Sequence, residues 1–185
     1  MSLQARRHGC ESQHPDDFVR KNAAILEEYM MQIKYTHTNI NAKDWRKLSK
    51  FYQDVFDCVP LGKLRDNKGE WFERLTGIKG AHAVGEHIGL PGYPDGNGPT
   101  FEIFSYEFPE DVGPLPFNGY GFCHVCFEVD DVDEVYDRFI KAGGSICGEK
   151  IVNYYPDRKG TNIIIYGRDI EGNGVEIKRW IPDEK

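Results

Sequence analysis

Two histidines and two glutamates stand at matched places along this chain: His37 and His124, Glu102 and Glu176. Imidazole nitrogen and carboxylate oxygen together suit borderline divalent cations, here Zn, Ni, Co, Mn or Fe. His124 lies in Gly121-Phe122-Cys123-His124-Val125-Cys126-Phe127-Glu128-Val129-Asp130-Asp131. Strand alternation puts His124, Cys126 and Glu128 on one face and Cys123, Val125, Phe127 and Val129 on the other. One face can pack under a helix, and the other can point into a cleft. His37 sits similarly in Ile33 to Ile40, sharing a face with Tyr35 and Asn39. Glu102 stands between Phe101 and Ile103, and Glu176 between Val175 and Ile177. A carboxylate among such neighbours must find a partner or take up a proton. A divalent cation would satisfy both at once.

Other polar residues are read more plainly. His82 and His87 lie on the third strand of the first half and have no counterpart histidine in the second, so they read as structural or exposed. His8 and His14 belong to a segment without periodicity. Glu128 reads as a rim or cap residue. Cys123 and Cys126 form a C-x-x-C, but on a strand they face opposite ways, which argues against a zinc or redox pair.

The elements that must position the four repeat an order. A helix is expected from Asp16 or Asp17 to about Met30, as an addition packed on the core or a dimer contact. The first unit then runs strand, helix, three strands: Ile33 to Ile40, a helix with Trp45, Leu48, Phe51, Tyr52, Val55 and Phe56 at helical spacing, Cys58 to Arg65, Ala81 to Leu90, and Thr100 to Tyr106. Asp66 to Gly69 reads as a turn, Trp71 to Leu75 as a short helix or loop lip, and Pro91 to Pro99 as a strong turn signal. After a Pro- and Gly-rich stretch the order begins again. The strand of His124 leads to a helix from Val132 that closes at Gly143-Gly144. Strands follow at Ser145 to Val152, Thr161 to Gly167 and Val175 to Trp180. The expected organisation is an arm and helix (1–31), a first module (32–107), a linker (108–121) and a second module (122–181).

The chain has 185 residues, 39% hydrophobic and 29% charged, which is an ordinary globular composition. Its formal net charge of -7 offers no basic stripe for phosphates, so no nucleic-acid partner is expected. No apolar run reaches membrane-spanning length, and the start lacks the apolar centre of a signal peptide. Five cysteines without regular spacing fit free thiols in a reducing compartment, hence a cytoplasmic location.

The repeated pattern resembles the vicinal oxygen chelate superfamily, which includes glyoxalase I, methylmalonyl-CoA epimerase, extradiol dioxygenases and bleomycin-resistance proteins. The carrying stretches are His37 to Ile40, Lys50 to Phe56, Phe101 to Phe104, His124 to Val132 and Asp169 to Ile177. The resemblance spans roughly residues 32–181. It implies an α+β fold of two βαβββ modules forming a curved mixed β-sheet cleft with flanking helices, here with an added N-terminal helix. It also implies that His37, Glu102, His124 and Glu176 are metal ligands, with Glu176 the candidate base and Glu102 the second. The implied activity is that of a lyase, isomerase or epimerase acting on a small substrate with vicinal oxygens through a metal-stabilised enolate. An Fe(II) extradiol-type dioxygenase and a non-catalytic small-molecule-binding protein are the alternatives. The family builds its site within one chain or across a homodimer. A site within one chain is expected here, because the chain holds both modules.

Overall fold

The computed structural model describes residues 33–93 and 96–184. The helix expected before Met30 lies outside the described residues. The first module comprises β1 (His37–Asn41), α1 (Trp45–Phe56), β2 (Val59–Lys68), α2 (Glu70–Thr76), β3 (His82–Gly89) and β4 (Thr100–Tyr106). The second comprises β5 (His124–Glu128), α3 (Val132–Lys141), β6 (Ser145–Ile146), β7 (Ile151–Tyr155), β8 (Gly160–Arg168) and β9 (Gly174–Pro182). One sheet runs β1-β4-β3-β2 and the other β5-β9-β8-β6, with β7 also paired to β8. In each sheet the first strand pairs parallel with the last, and the remaining pairs are antiparallel. This is the α+β, doubled architecture that the repeat implies. No helix among the described residues is long and apolar enough to cross a membrane.

Local chemistry explains the helices. Asp44 caps α1 by accepting from the backbone N–H groups of Arg46 and Lys47. Asp131 caps α3 in the same way, on Asp133 and Glu134. Each such cap is worth about 1 kcal/mol. Both helices place one apolar stripe inward: Trp45, Leu48, Phe51, Tyr52, Val55 and Phe56 from α1, and Val132, Val135 and Phe139 from α3.

Those stripes meet in one core with residues of both sheets. Phe56 stacks on Phe127 with centroids 3.9 Å apart, and Phe51 meets Phe139 edge-on at 5.2 Å. Tyr52 meets Phe101 at 5.1 Å. Its hydroxyl donates to the buried carboxylate of Asp169 at 2.9 Å. Asp169 also accepts from the backbone N–H groups of Glu171 and Asn173, which fixes the turn leading into β9. A first-module helix thus holds the loop that sets the second module's last strand. The sheet faces away from this core are left for chemistry.

Two expected boundaries differ. Asp66 to Lys68 continue β2 instead of turning, because they pair with Val84, Ala83 and His82. The strand expected over Ser145 to Val152 is two strands. β6 pairs with Gly167 and Arg168, whereas β7 pairs with Gly160 to Ile164, so the chain must break between them. Trp71 to Leu75 falls within a helix, α2.

Candidate metal centre

The first half of the site rests on a parallel register. β1 lies beside β4 with His37 opposite Thr100 and Asn39 opposite Glu102. Phe101 and Ile103 face the core, so Glu102 faces the other way. His37 Nε2 is 3.2 Å from Glu102 Oε2. The antiparallel β3·β4 register puts His87 directly opposite Glu102, and His87 Nε2 is 2.9 Å from the other oxygen, Oε1. Asn39 Nδ2 donates to Oε2 at 3.5 Å. Of the two sequence readings of His87, structural or exposed, the contact with Glu102 favours the structural one. A search for repeated histidines passes over it, because its counterpart is not a histidine.

The second half repeats the geometry. β5 lies beside β9 with His124 opposite Gly174 and Cys126 opposite Glu176. His124 Nε2 is 2.8 Å from Glu176 Oε2, with the side chains 27% and 12% exposed. A Cβ at Gly174 would stand 2.2 Å from the carbonyl oxygen of Cys123 and 3.1 Å from His124 Cβ. Only glycine allows the two strands this approach. Tyr166 on β8 stands directly opposite Glu176, and its ring lies 5.0 Å from that of His124. Burial first, then the charge of Glu176, pushes the Tyr166 phenol up. The same two causes push the Cys126 thiol up to about 11.

In both modules, then, a histidine on the first strand reaches a glutamate on the last, two residues beyond its register partner. The donor types fit a divalent cation. Among the described residues, the ion pairs of Glu102 and Glu176 are with imidazoles alone. His37, Glu102, His124 and Glu176 are not, however, drawn to one point. Among the described residues no group of three or more His, Cys, Asp or Glu is arranged to hold a metal ion. The chain displays two separate histidine–glutamate pairs, two candidate half-sites. Each lies on the sheet face turned away from the shared core.

The remaining polar residues have other roles. Glu128 pairs with Lys178 at 2.8 Å, while Asp131 provides the cap. His82 lies between Glu107 and Asp66, at 2.8 and 2.7 Å. Cys123 Sγ points to the carbonyl oxygen of Phe117, and Cys123 and Cys126 are both free.

Comparison with known proteins agrees with this architecture. The family profile of the Glyoxalase/Bleomycin resistance protein/Dioxygenase superfamily matches residues 34–177. The chain belongs to that superfamily. No curated protein matches it. Among solved structures, a glyoxalase family protein from Bacillus cereus aligns with a TM-score of 0.70 at 22% identity, covering 83% of this chain and 97% of that one. A glyoxylase/bleomycin resistance protein/dioxygenase domain from Frankia sp. EAN1pec aligns with a TM-score of 0.52 at 16% identity, covering 81% and 99%. The fosfomycin resistance protein FosX from Listeria monocytogenes, solved with Mn(II), aligns with a TM-score of 0.49 at 16% identity, covering 80% and 92%. At these identities the likeness is one of fold.

Proposed function

We propose that this protein is a divalent-metal-dependent lyase, isomerase or epimerase of the glyoxalase I-like kind, acting on a small substrate with vicinal oxygens. His37, Glu102, His124 and Glu176 are the ligands, and two copies of the chain bring the half-sites together. The observation that carries this reading is the repeated register, which sets an imidazole against a carboxylate in each module. The homodimer is supported by two further features. β1 and β5, the strands of the two histidines, each form the edge of their sheet. The connection between modules also carries Phe108, Val112, Tyr120 and Phe122 at 78%, 86%, 103% and 97% exposure, an apolar surface that a second copy would cover.

When bound, the cation supplies Lewis-acid stabilisation of charge developing at a substrate carbonyl. The chain supplies the proton chemistry. Glu176 is the more enclosed carboxylate, 12% against 22% exposed for Glu102. In this reading it takes the proton from the carbon beside the carbonyl and returns it to a neighbouring atom. Glu102 is the second base. In the metal-free chain His37 and His124 meet the two carboxylates through their Nε2 atoms, contacts that a bound cation would replace.

Elemental analysis tests the ligand set. Wild type should hold a divalent metal that His124→Ala loses, and equal content in both would end the assignment. Mixing His37→Ala chains with His124→Ala chains tests the shared site. Metal should return to the mixture, because one junction of the mixed dimer is intact; no recovery means the half-sites do not meet across copies. Deuterium uptake from solvent into a 2-oxo substrate should then report the proton transfer. Iron content with oxygen consumption would favour a dioxygenase instead, and tight binding without turnover a non-catalytic protein.

A further inference from the structure

Resting on the metal reading above, we infer that His87 is a positioning residue: it holds Glu102 Oε1 so that Oε2 alone is presented to the cation. The two oxygens of Glu102 are already distinguished. Oε1 meets His87 Nε2 at 2.9 Å, and Oε2 faces His37 Nε2 at 3.2 Å. An ionised carboxylate only accepts, so His87 Nε2 must carry the hydrogen. In the neutral ring Nδ1 then accepts from the Thr100 hydroxyl, 3.2 Å away. Both ring nitrogens of His87 are engaged, and neither lone pair is left for a metal. His37 differs, because cation binding can replace its contact with Oε2.

The ring of His87 is held as well as bonded. It meets His37 edge-on at 5.9 Å and Phe104 edge-on at 6.5 Å. Its side chain is 21% exposed. Thr100, whose hydroxyl meets the other ring nitrogen, stands two residues before Glu102 and opposite His37 in register. One strand therefore carries both Glu102 and Thr100, the two residues that His87 bonds. The second module supplies an independent parallel. Tyr166 stands opposite Glu176 just as His87 stands opposite Glu102, and it too is a side chain that carries a hydrogen-bond donor. A donor across the strand pair from each carboxylate is thus part of the repeated unit, though its chemistry is not conserved between the halves. Such outer partners fix the orientation of a ligand and strengthen it as a donor.

The test measures metal binding rather than turnover. His87→Ala should weaken divalent-cation affinity by roughly tenfold to a hundredfold, as loss of an outer partner does. His87→Gln keeps an N–H donor and should stay within a few-fold of wild type. Cobalt(II)-loaded His87→Ala should keep the same number of imidazole ligands by X-ray absorption. A variant that binds as tightly as wild type overturns the inference, and so does one that loses an imidazole from the metal, which would make His87 a ligand. In metal-free wild type, nitrogen-15 correlation spectra should show His87 as the Nε2–H tautomer. An Nδ1–H tautomer also overturns it. A wild type that binds no cation, yet shows the Nε2–H tautomer, defeats the metal reading and leaves the His87–Glu102 bond standing.

Discussion

The two half-sites share a register but not a surrounding. Glu102 has an imidazole on each oxygen and an amide donor besides. Glu176 has one imidazole, with a thiol and a phenol as its strand neighbours. The first arrangement holds a carboxylate by both ends. The second encloses its carboxylate more fully but grips it less. A ligand benefits from being held, and a base must be free to take a proton and move with it. Within the proposed function, the duplicated unit has on that argument diverged, with the first half given to holding the cation and the second to the chemistry.

Parallel substitutions would break this comparison most directly. Glu176→Gln, assayed with saturating metal, should lower turnover by about a hundredfold to ten-thousandfold, the usual scale of general acid–base catalysis. Glu102→Gln should act chiefly on metal affinity and recover much of its turnover when metal is added. Equal kinetic losses in the two variants would remove the division of labour.

The comparison sharpens at the residue opposite each histidine. The first module places Thr100 there and so tolerates a side chain. The second places Gly174, where a Cβ would meet the Cys123 carbonyl oxygen at 2.2 Å. The clash is with backbone, so no side chain can swing aside. Gly174→Ala should cost about 1–3 kcal/mol, as overpacking does. Thr100→Ala should cost less, because it adds nothing to the space. Denaturant unfolding of both variants checks the difference, and a silent Gly174→Ala would mean that β5 and β9 can separate freely.

Much of this was legible from residue types. The stripes of α1 and α3, the strands of His37, Glu102, His124 and Glu176, and the facing of all four follow from periodicity and repetition. Asp44 and Asp131 announce their helices by position alone. The relation of His87 to Glu102 was hidden, since it depends on strand register, which is set by turn length rather than by any local signal. Its counterpart Tyr166 shares the place and not the residue type, so a search for repeats misses both. The split between β6 and β7 was hidden for the same reason: it reflects which part of β8 each can reach. That the four candidate ligands stay in two pairs is a tertiary fact. Alternation says which face a side chain takes and nothing of whether two faces meet.

The smallest expected effect concerns pH, and it too should belong to one module only. His82 has Glu107 on Nδ1 and Asp66 on Nε2. Its position along β3 is taken in β8 by Thr161, which does not titrate. Hydrogen bonds to Glu107 first and to Asp66 second raise the imidazole above its ordinary value of 6.5. The folded state therefore binds the proton more tightly than the unfolded chain. The stabilisation is complete below the ordinary value and fades as pH rises through the raised one. Asp66 sets the acid limit. Lys68 first and His82 second lower its carboxyl below the ordinary value of 3.8, so its share is lost as pH falls through that lowered value. The midpoint difference between wild type and His82→Ala should thus be largest between the ordinary carboxyl and imidazole values and shrink as pH rises through the raised imidazole value, a trend set by the sign of the linkage. The contact is exposed, so the difference should be small and should diminish with added salt. A difference that grows toward alkaline pH would mean that His82 is held neutral, against the geometry of an imidazole between two carboxylates.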